Sequence, residues 1–204
     1  ITRSERQEQG VQKWVNNHCN GTLCYATGVG KTRCGLIAIS RFLAKNKGRL
    51  VIIVVPSDPI KQQWLDELDK WGLLADNISV HTMYESSKKE YVCDMLVIDE
   101  IHKCGANTLI KTFENIKYKI ILGLTATFSR LDGRDELISK YCPVIDTISV
   151  QEAINNGWLS SYREYEVLIE PEDIEYYNKI NQSFNDYFSF FNYDFGQAMT
   201  CATD

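Results

Sequence analysis

One run of residues has the types and spacing needed to bind phosphate. It reads Tyr-Ala-Thr-Gly-Val-Gly-Lys-Thr from Tyr25 to Thr32. Gly28 and Gly30 would let backbone N–H groups approach a phosphate without a Cβ clash, while Lys31 would reach the β- and γ-phosphates and the threonine hydroxyl would bind Mg²⁺. The strict pattern G-x-x-x-x-G-K-[ST] has glycine where this chain has Tyr25, so a glycine-rich turn with a solvated lysine remains the alternative.

A second polar run, Asp99-Glu100-Ile101-His102, begins 68 residues after Lys31, at the end of an apolar stretch. In an ATPase, Asp99 would hold Mg²⁺, usually through water, and Glu100 would orient and polarise the attacking water. An Asp-Glu pair after a strand can also be a helix N-cap in a favourable dipole position. His102 draws its interest only from the residues around it.

Alternating elements must position these residues. Periodicity predicts helices at 3–18, 31–47, 58–70 and 132–140, and strands at 22–26, 49–55, 78–81, 94–99, 119–124, 144–148 and 163–169. Several of the strands are continuous apolar runs, which is typical of strands buried on both faces. Strands that alternate with helices predict a parallel α/β sheet, and such sheets bind ligands at the carboxyl ends of their strands.

Composition narrows the class of protein. The chain has 204 residues, of which 44% are hydrophobic and 24% are charged, as in an ordinary globular protein. The longest apolar runs, Leu50–Val55 and Ile120–Leu124, are too short to cross a membrane. The seven cysteines form no Cys-x-x-Cys pair and the three histidines are scattered, which predicts reduced thiols in the cytoplasm and no structural zinc. Because the first residue is isoleucine, we expect the chain to start inside a longer product or after a removed tag.

The net charge of −5 is unevenly distributed. Residues 169–204 contain one basic and seven acidic side chains, so the first 168 residues carry a net charge of +1. The same final segment holds nine of the 23 aromatic residues, and residues 174–191 have the spacing of an amphipathic helix. The acidity therefore does not exclude nucleic acid as a partner of the first 168 residues.

The set of motifs resembles the first RecA-like motor domain of superfamily 2 helicases and translocases. It is most similar to the DExH branch, which contains type III restriction motor subunits, excision-repair-type helicases and many phage helicases. The resemblance covers residues 3–168. In this family motif I commonly lacks the first glycine, which accounts for Tyr25, while Asp99-Glu100-Ile101-His102 corresponds to motif II and Thr125-Ala126-Thr127 to motif III.

The resemblance implies a role for each matched residue. Gln7 would read the adenine edge, although Arg6 stands where an aromatic residue is common in relatives. ATP would lie on Thr27, Gly28, Val29, Gly30, Lys31 and Thr32, with Mg²⁺ shared by Thr32 and Asp99. Lys31, Asp99 and Glu100 would be catalytic. Coupling of the ATP site to nucleic acid would pass through His102, Thr125 and Thr127. The nucleic-acid backbone would contact Pro56, Ser57 and Thr82, which could equally be a strand end and turn residues.

The sequence therefore predicts an α/β fold: a RecA-like P-loop NTPase domain, mostly parallel, with helices on both faces. Residues 1–168 would form this ATP-binding domain. Residues 169–204 would be a helical connector, or the start of an insertion, leading to a second RecA-like domain of the same product. The expected function is an ATP-dependent helicase or translocase acting on DNA rather than RNA, in the cytoplasm or, for a phage protein, the host cytoplasm.

Two other functions remain open at this stage. One is a nucleotide-dependent switch or clamp in a restriction, repair or replication assembly, which would bind nucleic acid without unwinding it. The other is an unrelated P-loop kinase or GTPase, a class that does not normally carry Asp-Glu-x-His and Thr-Ala-Thr at successive strand ends.

Overall fold

A computed structural model describes residues 1–101, 106–126 and 140–161, all within one compact unit of residues 1–161. Its helices are α1 (Arg3–Asn16), α2 (Lys31–Lys45), α3 (Asp58–Lys70), α4 (Met83–Ser86), α5 (Ala106–Asn115) and α6 (Val150–Asn155). Its strands are β1 (Asn20–Tyr25), β2 (Val51–Val55), β3 (Ile78–Thr82), β4 (Tyr91–Val92), β5 (Met95–Asp99), β6 (Ile116–Lys117), β7 (Ile120–Thr125) and β8 (Val144–Ile148).

Six of the strands form one sheet in the order β3-β2-β5-β7-β1-β8. Every pairing in it is parallel, and β4 and β6 form a separate parallel pair. The prediction of a parallel α/β fold is confirmed. Because the strands are parallel, the turns that follow them lie at one edge of the sheet.

Helices cover both faces of the sheet, as predicted. All five residues of β2 and of β5 are buried, and alternate residues point to opposite faces. Ile53 and Val97 belong to a core shared with α1, α2 and α3, whereas Ile52 and Leu96 belong to a second core that includes α5. Burial on both faces explains why these strands are continuous apolar runs.

Helix α1 lies against the strand layer through Val11 and Trp14, which are buried. Its first turn is closed by a capping box in which Thr2 accepts from the Glu5 backbone N–H and Glu5 accepts from the Thr2 backbone N–H. The indole of Trp14 donates to the carbonyl oxygen of Ile121 at 2.8 Å. This bond ties the helix to β7 and satisfies a donor that burial would otherwise leave unpaired.

The predicted helices at 3–18, 31–47 and 58–70 correspond to α1, α2 and α3, with differences of at most two residues at their ends. The sequence did not predict α4, α5 and α6 or the two-residue strands β4 and β6. Helix α5 contains two threonines, which favour helix weakly, but Leu109 and Phe113 pack into the second core and tertiary packing outweighs propensity. The predicted strand at 163–169, the helix at 174–191 and the domain boundary at 168 lie outside the described residues, as does nearly all of the helix at 132–140.

Two further observations concern only the part of the chain that the structure describes. None of its helices combines the length and apolar character that a membrane crossing needs. Its five cysteines are free thiols, four of them buried, and the pKa values of Cys34 and Cys93 are raised to about 12 by burial.

Candidate nucleotide-binding site

The register of the sheet brings the predicted motifs to one edge. Asp99 of β5 pairs with Leu124 of β7, whose next residue, Thr125, pairs with Cys24 of β1. On the other side of β5, strand β2 ends at Val55 beside Thr82 of β3. Thr125 therefore stands between the strand that precedes the glycine turn and the strand that carries Asp99.

The turn from Ala26 to Gly30 connects β1 to α2. Gly28 has φ +86° and Gly30, the residue before the helix, has φ +94°, a left-handed region that side chains with a Cβ rarely adopt. A Cβ on Gly28 would lie 2.8 Å from Cδ2 of Leu159, and one on Gly30 would lie 2.5 Å from Nε2 of Gln7. The backbone conformation therefore favours glycine at both positions, and a Cβ at either would also displace the end of a neighbouring side chain.

The side chain of Lys31 joins this turn to the acidic turn. It is 8% exposed, and its Nζ lies 3.3 Å from the carbonyl oxygen of Tyr25 and 3.4 Å from Oε1 of Glu100. A buried ammonium held beside a carboxylate is a charge placed in a medium of low dielectric, where it would attract a phosphate strongly. Glu100 has φ +49°, and a non-glycine residue in this region is strained in the way that is common at functional sites.

Asp99 is 5% exposed and lies at the end of β5. Its Oδ2 accepts a hydrogen bond of 2.8 Å from the indole Nε1 of Trp64, and its Oδ1 accepts from the Glu100 backbone N–H at 3.0 Å. Burial raises the pKa of the Asp99 carboxyl, while the bond from Trp64 acts in the opposite direction. The indole of Trp64 therefore holds the Asp99 carboxylate in a fixed orientation.

Trp64 is a partner of Asp99 that the sequence did not reveal. It is fully buried in α3. Its ring also explains Gly35, where an added Cβ would lie 2.6 Å from the tryptophan. The 3–4 spacing of Trp64 with Leu68, also fully buried, was the available signal for an inward-facing side chain.

The remaining predicted nucleotide residues are distributed around the turn. Thr27 and Gly28 are exposed, Val29 is fully buried, and Thr32 is partly exposed in the first turn of α2. Gln7 is 2% exposed, and its Nε2 donates to the Val29 carbonyl oxygen at 2.6 Å. Thr125 is buried at the end of β7. His102 and Thr127 lie outside the described residues.

The residues predicted to contact nucleic acid follow β2 and β3. Ser57 is exposed and precedes α3, and its hydroxyl makes no capping bond to that helix. Pro56 is partly exposed. Thr82 differs: it is the last residue of β3, is 7% exposed, and accepts from the Glu85 backbone N–H as the cap of α4. Its contact with nucleic acid remains a prediction beside this structural role.

A charged cluster beside the glycine turn was not expected from the sequence. Asp146 of β8 accepts from the Tyr25 hydroxyl at 2.6 Å, from Lys13 Nζ at 2.6 Å and from both terminal nitrogens of Arg6. Burial alone would raise the pKa of Asp146, but these donors lower it. The cluster joins α1, β1 and β8 next to the nucleotide site, and residues up to 140 positions apart give no local sequence signal of it.

A family comparison agrees with this geometry. The family described as type III restriction enzyme, res subunit, matches residues 1–91 and 74–130, which together cover more than half of the chain. This chain belongs to that family. Its fold is that of a RecA-like motor domain of superfamily 2 helicases, and the resemblance inferred from the motifs is confirmed.

Similar curated proteins carry helicase or translocase names. The chain is 25% identical to the DNA 3'-5' translocase XPB2 of Sulfurisphaera tokodaii, over 93% of this chain and 46% of that protein. It is 29% identical to the putative ATP-dependent RNA helicase QP509L of African swine fever virus, over 55% of this chain and 26% of that protein. It spans only about a quarter to a half of the lengths of these two relatives.

Solved structures show the same fold. The UvsW helicase of bacteriophage T4 superposes with a TM-score of 0.61 at 14% identity, over 69% of this chain and 58% of that one. The Hef helicase domain of Pyrococcus furiosus also gives a TM-score of 0.61, at 16% identity, over 85% of this chain and 44% of that one. At these identities the similarity establishes the architecture alone.

Proposed function

We propose that this chain is the first motor domain of an ATP-dependent nucleic-acid helicase or translocase. The observation that carries the proposal is the distance of 3.4 Å between Lys31 Nζ and Glu100 Oε1. This distance places the lysine of the glycine-rich turn after β1 beside the acidic turn after β5, two strands away in the sheet. Nucleoside triphosphatases of this type need both at one site.

The residues at the site fit a magnesium nucleotide. The left-handed glycines stand directly before α2, and the first backbone N–H groups of a helix have no partner within it and favour an anion. Lys31 would bind the β- and γ-phosphates, while Thr32 and Asp99 would hold Mg²⁺. When bound, Mg²⁺ would neutralise charge on the phosphates. The backbone of Thr27, Gly28, Val29 and Gly30 would line the site, with Gln7 behind it.

We assign to Glu100 the role of activating the water molecule that attacks the γ-phosphate. A carboxylate at this position can orient a water molecule and accept its proton, and Asp99 would be held for its metal by Trp64. Efficient hydrolysis is proposed to need an arginine from a second RecA-like domain, a contribution of about 10³–10⁵ in rate for comparable enzymes. The 93% coverage of this chain by less than half of the archaeal translocase supports a second domain in the complete protein.

The edge of the sheet would also transmit the state of the nucleotide. Thr125 lies between the β1 and β5 strand ends, and we assign it a coupling role together with Thr127 and His102. Pro56, Ser57 and Thr82, which follow β2 and β3, would contact the nucleic-acid backbone. DNA is the proposed partner, since the archaeal relative is named a DNA translocase. The free thiols fit a reducing compartment, and we assign the protein to the cytoplasm, or the host cytoplasm for a phage protein.

Two substitutions test the site. Lys31→Ala should weaken binding of magnesium ATP, whereas Glu100→Gln should leave binding nearly intact, and both should abolish nucleic-acid-stimulated hydrolysis by the full-length protein. Lys45→Ala, which removes an exposed lysine from the same helix, is the matched control. Full turnover by Glu100→Gln would show that this carboxylate does not activate water.

The requirement for a second domain has a separate test. The 204-residue chain alone should bind nucleotide weakly and hydrolyse it very slowly, because the proposal assigns the arginine needed for fast hydrolysis to a second RecA-like domain. Its net charge of +1 over residues 1–168 also predicts weak binding to nucleic acid with a shallow salt dependence. Fast stimulated hydrolysis by this chain would contradict the requirement.

A further inference from the structure

Tyr84 presents an aromatic ring to solvent at the edge of the sheet where β3 ends. It is the second residue of α4, the short helix that Thr82 caps. The side chain is 71% exposed, more than any other large hydrophobic side chain in the part of the chain that the structure describes. A single exposed ring is ordinary on a protein surface, so its support and its charged neighbours decide whether it has a role.

The helix that carries the ring is fixed to the body of the domain. Met83 is buried in the second core. Ser86 is fully buried, its Oγ lies 3.0 Å from Oγ1 of Thr112 in α5, and its carbonyl oxygen accepts from Asn115 Nδ2 at 3.2 Å. The backbone on either side of Tyr84 is therefore held, and a ligand that covers the ring need not order this segment, which lowers the cost of binding.

The charges around the ring favour an anionic ligand. Glu85 is paired with Lys61 of α3, whose Nζ lies 3.0 Å from its carboxylate oxygen. The Nζ of Lys88 lies 5.2 Å from the centre of the Tyr84 ring, and both Lys88 and Lys89 are exposed. With Lys61, residues 84–90 carry three basic and two acidic side chains. The ring thus stands among cations on an element that is anchored at three sides.

An aromatic ring beside lysines matches the chemistry of a single nucleic-acid strand. Such a strand offers charged phosphates to the lysines and a planar base to the ring, whereas the bases of a duplex are already stacked on one another. Ser57 and Thr82, which are proposed to contact the backbone, precede α3 and α4. Tyr84 is therefore two residues from a proposed backbone contact.

We propose that Tyr84 is a stacking platform for an unpaired base of a single DNA strand, with Lys88 beside a phosphate of the same strand. The inference rests on the proposed function, because it assumes that this edge of the sheet binds nucleic acid. It adds that the domain contacts a base as well as the backbone, and that it distinguishes a single strand from a duplex at this position.

The test compares three ligands that share phosphates and differ in the bases they offer. Fluorescence anisotropy at low salt measures binding of the chain to a single-stranded DNA oligonucleotide, to the same length of abasic strand and to the duplex. Tyr84→Ala should weaken the single strand by at least about fivefold and leave the abasic strand and the duplex unchanged. Tyr84→Phe keeps the ring and should keep the affinity. An equal loss for the abasic strand, or no loss for any ligand, would overturn the proposal.

Matched variants separate the ring from its charge. Trp71→Ala removes another exposed ring with a cation near it, since Arg33 lies 6.0 Å from its centre, and it should leave all three affinities unchanged. Lys88→Ala should weaken all three ligands and reduce the salt slope for the single strand by about 0.7. Lys47→Ala removes an exposed lysine that follows α2, and should not change the slope. A Lys88→Ala slope equal to that of wild type would show that Lys88 does not lie beside a phosphate.

A crosslink on the wild-type chain makes the result independent of any substitution. A single strand that carries 5-iodouracil is irradiated with the protein, and the modified residue is identified by mass spectrometry. A crosslink at Tyr84 supports the proposal even if Tyr84→Ala does not fold, and crosslinks confined to other residues overturn it. A wild-type chain that binds none of the three ligands would refute nucleic-acid binding in the proposed function together with this inference. A chain that binds all three equally well would refute the inference alone.

Discussion

Asp146→Asn should destabilise the chain more than the same substitution at an aspartate whose basic partners are exposed. The Asp146 carboxylate accepts from Tyr25, Lys13 and Arg6, and its side chain is 4% exposed. Asparagine has nearly the same shape but no charge, and one of its two terminal atoms is a donor rather than an acceptor. The substitution would therefore leave the Arg6 guanidinium, only 12% exposed, with Glu152 as its anionic partner, at 3.4 Å and 39% exposed.

The expected cost lies between two limits. Removing one partner of a fully buried ion pair costs about 3–5 kcal/mol, and an exposed pair contributes about 0–1 kcal/mol. Arg6 is largely buried, but Lys13 is 53% exposed, so solvent screens that part of the interaction. We expect the free energy of unfolding to fall by about 2–3 kcal/mol near neutral pH.

The cost should depend on pH, and urea unfolding over a pH series measures it. Burial by itself would raise the pKa of Asp146, but its three donors lower it below the unfolded value, which is about 3.9. A group with a lowered pKa contributes its full stability above the unfolded pKa and loses it as pH falls through the folded one. The gap between wild type and Asp146→Asn should thus narrow as the pH falls below about 4.

Asp94→Asn provides the comparison. Asp94 also accepts from two basic side chains, Arg49 and Lys119, but both partners are more than half exposed. Its loss should cost less than that of Asp146 at every pH. An equal cost for the two substitutions, or a gap for Asp146→Asn that is the same near neutrality and in acid, would refute the assignment of a buried ionic cluster.

Three further predictions concern the sites themselves. Trp64→Phe should weaken the Mg²⁺-dependent part of nucleotide affinity by about tenfold, because Asp99 loses its orienting donor; titration with and without Mg²⁺ measures this, and Trp14→Phe, whose indole bonds to a neutral carbonyl, should not share the effect. Gly30→Ala should lower nucleotide affinity and melting temperature more than Gly48→Ala, since both glycines have positive φ but only Gly30 faces a side chain; equal losses in a binding and thermal-melting comparison would argue against a shaped turn. Ser57→Ala should weaken binding to a DNA oligonucleotide severalfold without changing the salt slope, as followed by fluorescence anisotropy at several salt concentrations, and a changed slope would show that the surface charges had moved.

The sequence predicted an element correctly wherever the residue types of a short segment directly reflect its burial or its backbone angles in the fold. The runs at 49–55 and 94–99 became the adjacent interior strands β2 and β5, because residues buried on both faces must be apolar throughout. The turn at Gly28 and Gly30 was predictable for a similar reason, since only glycine tolerates its backbone angles. The short elements α4, β4 and β6 were not predictable, because elements of two to four residues carry too few positions for a periodic signal.

Side-chain partners were less predictable than positions. Gln7, Trp64 and Asp99 each stand in a segment that the sequence marked, but the donors and acceptors that hold them come from other elements. Trp64 donates to the Asp99 carboxylate, 35 residues away, and no residue pattern in either segment indicates that the two are partners. Such contacts depend on how α3 packs against the sheet. The periodicity of apolar residues identifies which face of a helix is buried, but it does not identify which atoms that face contacts.

Two residues with unusual identities beside the phosphate turn contact each other. Tyr25 stands where the strict phosphate motif has glycine, and Arg6 stands where relatives commonly have an aromatic residue. In the folded chain the Arg6 guanidinium lies 5.5 Å from the centre of the Tyr25 ring, and both side chains donate to Asp146. Gly10 supplies the space, since a Cβ there would collide with the Tyr25 hydroxyl. A change at Arg6 alone would leave Tyr25 and Asp146 with fewer partners, so these positions are expected to couple in a double-mutant cycle. They also fix α1, which carries Gln7, at the strand that leads into the phosphate turn.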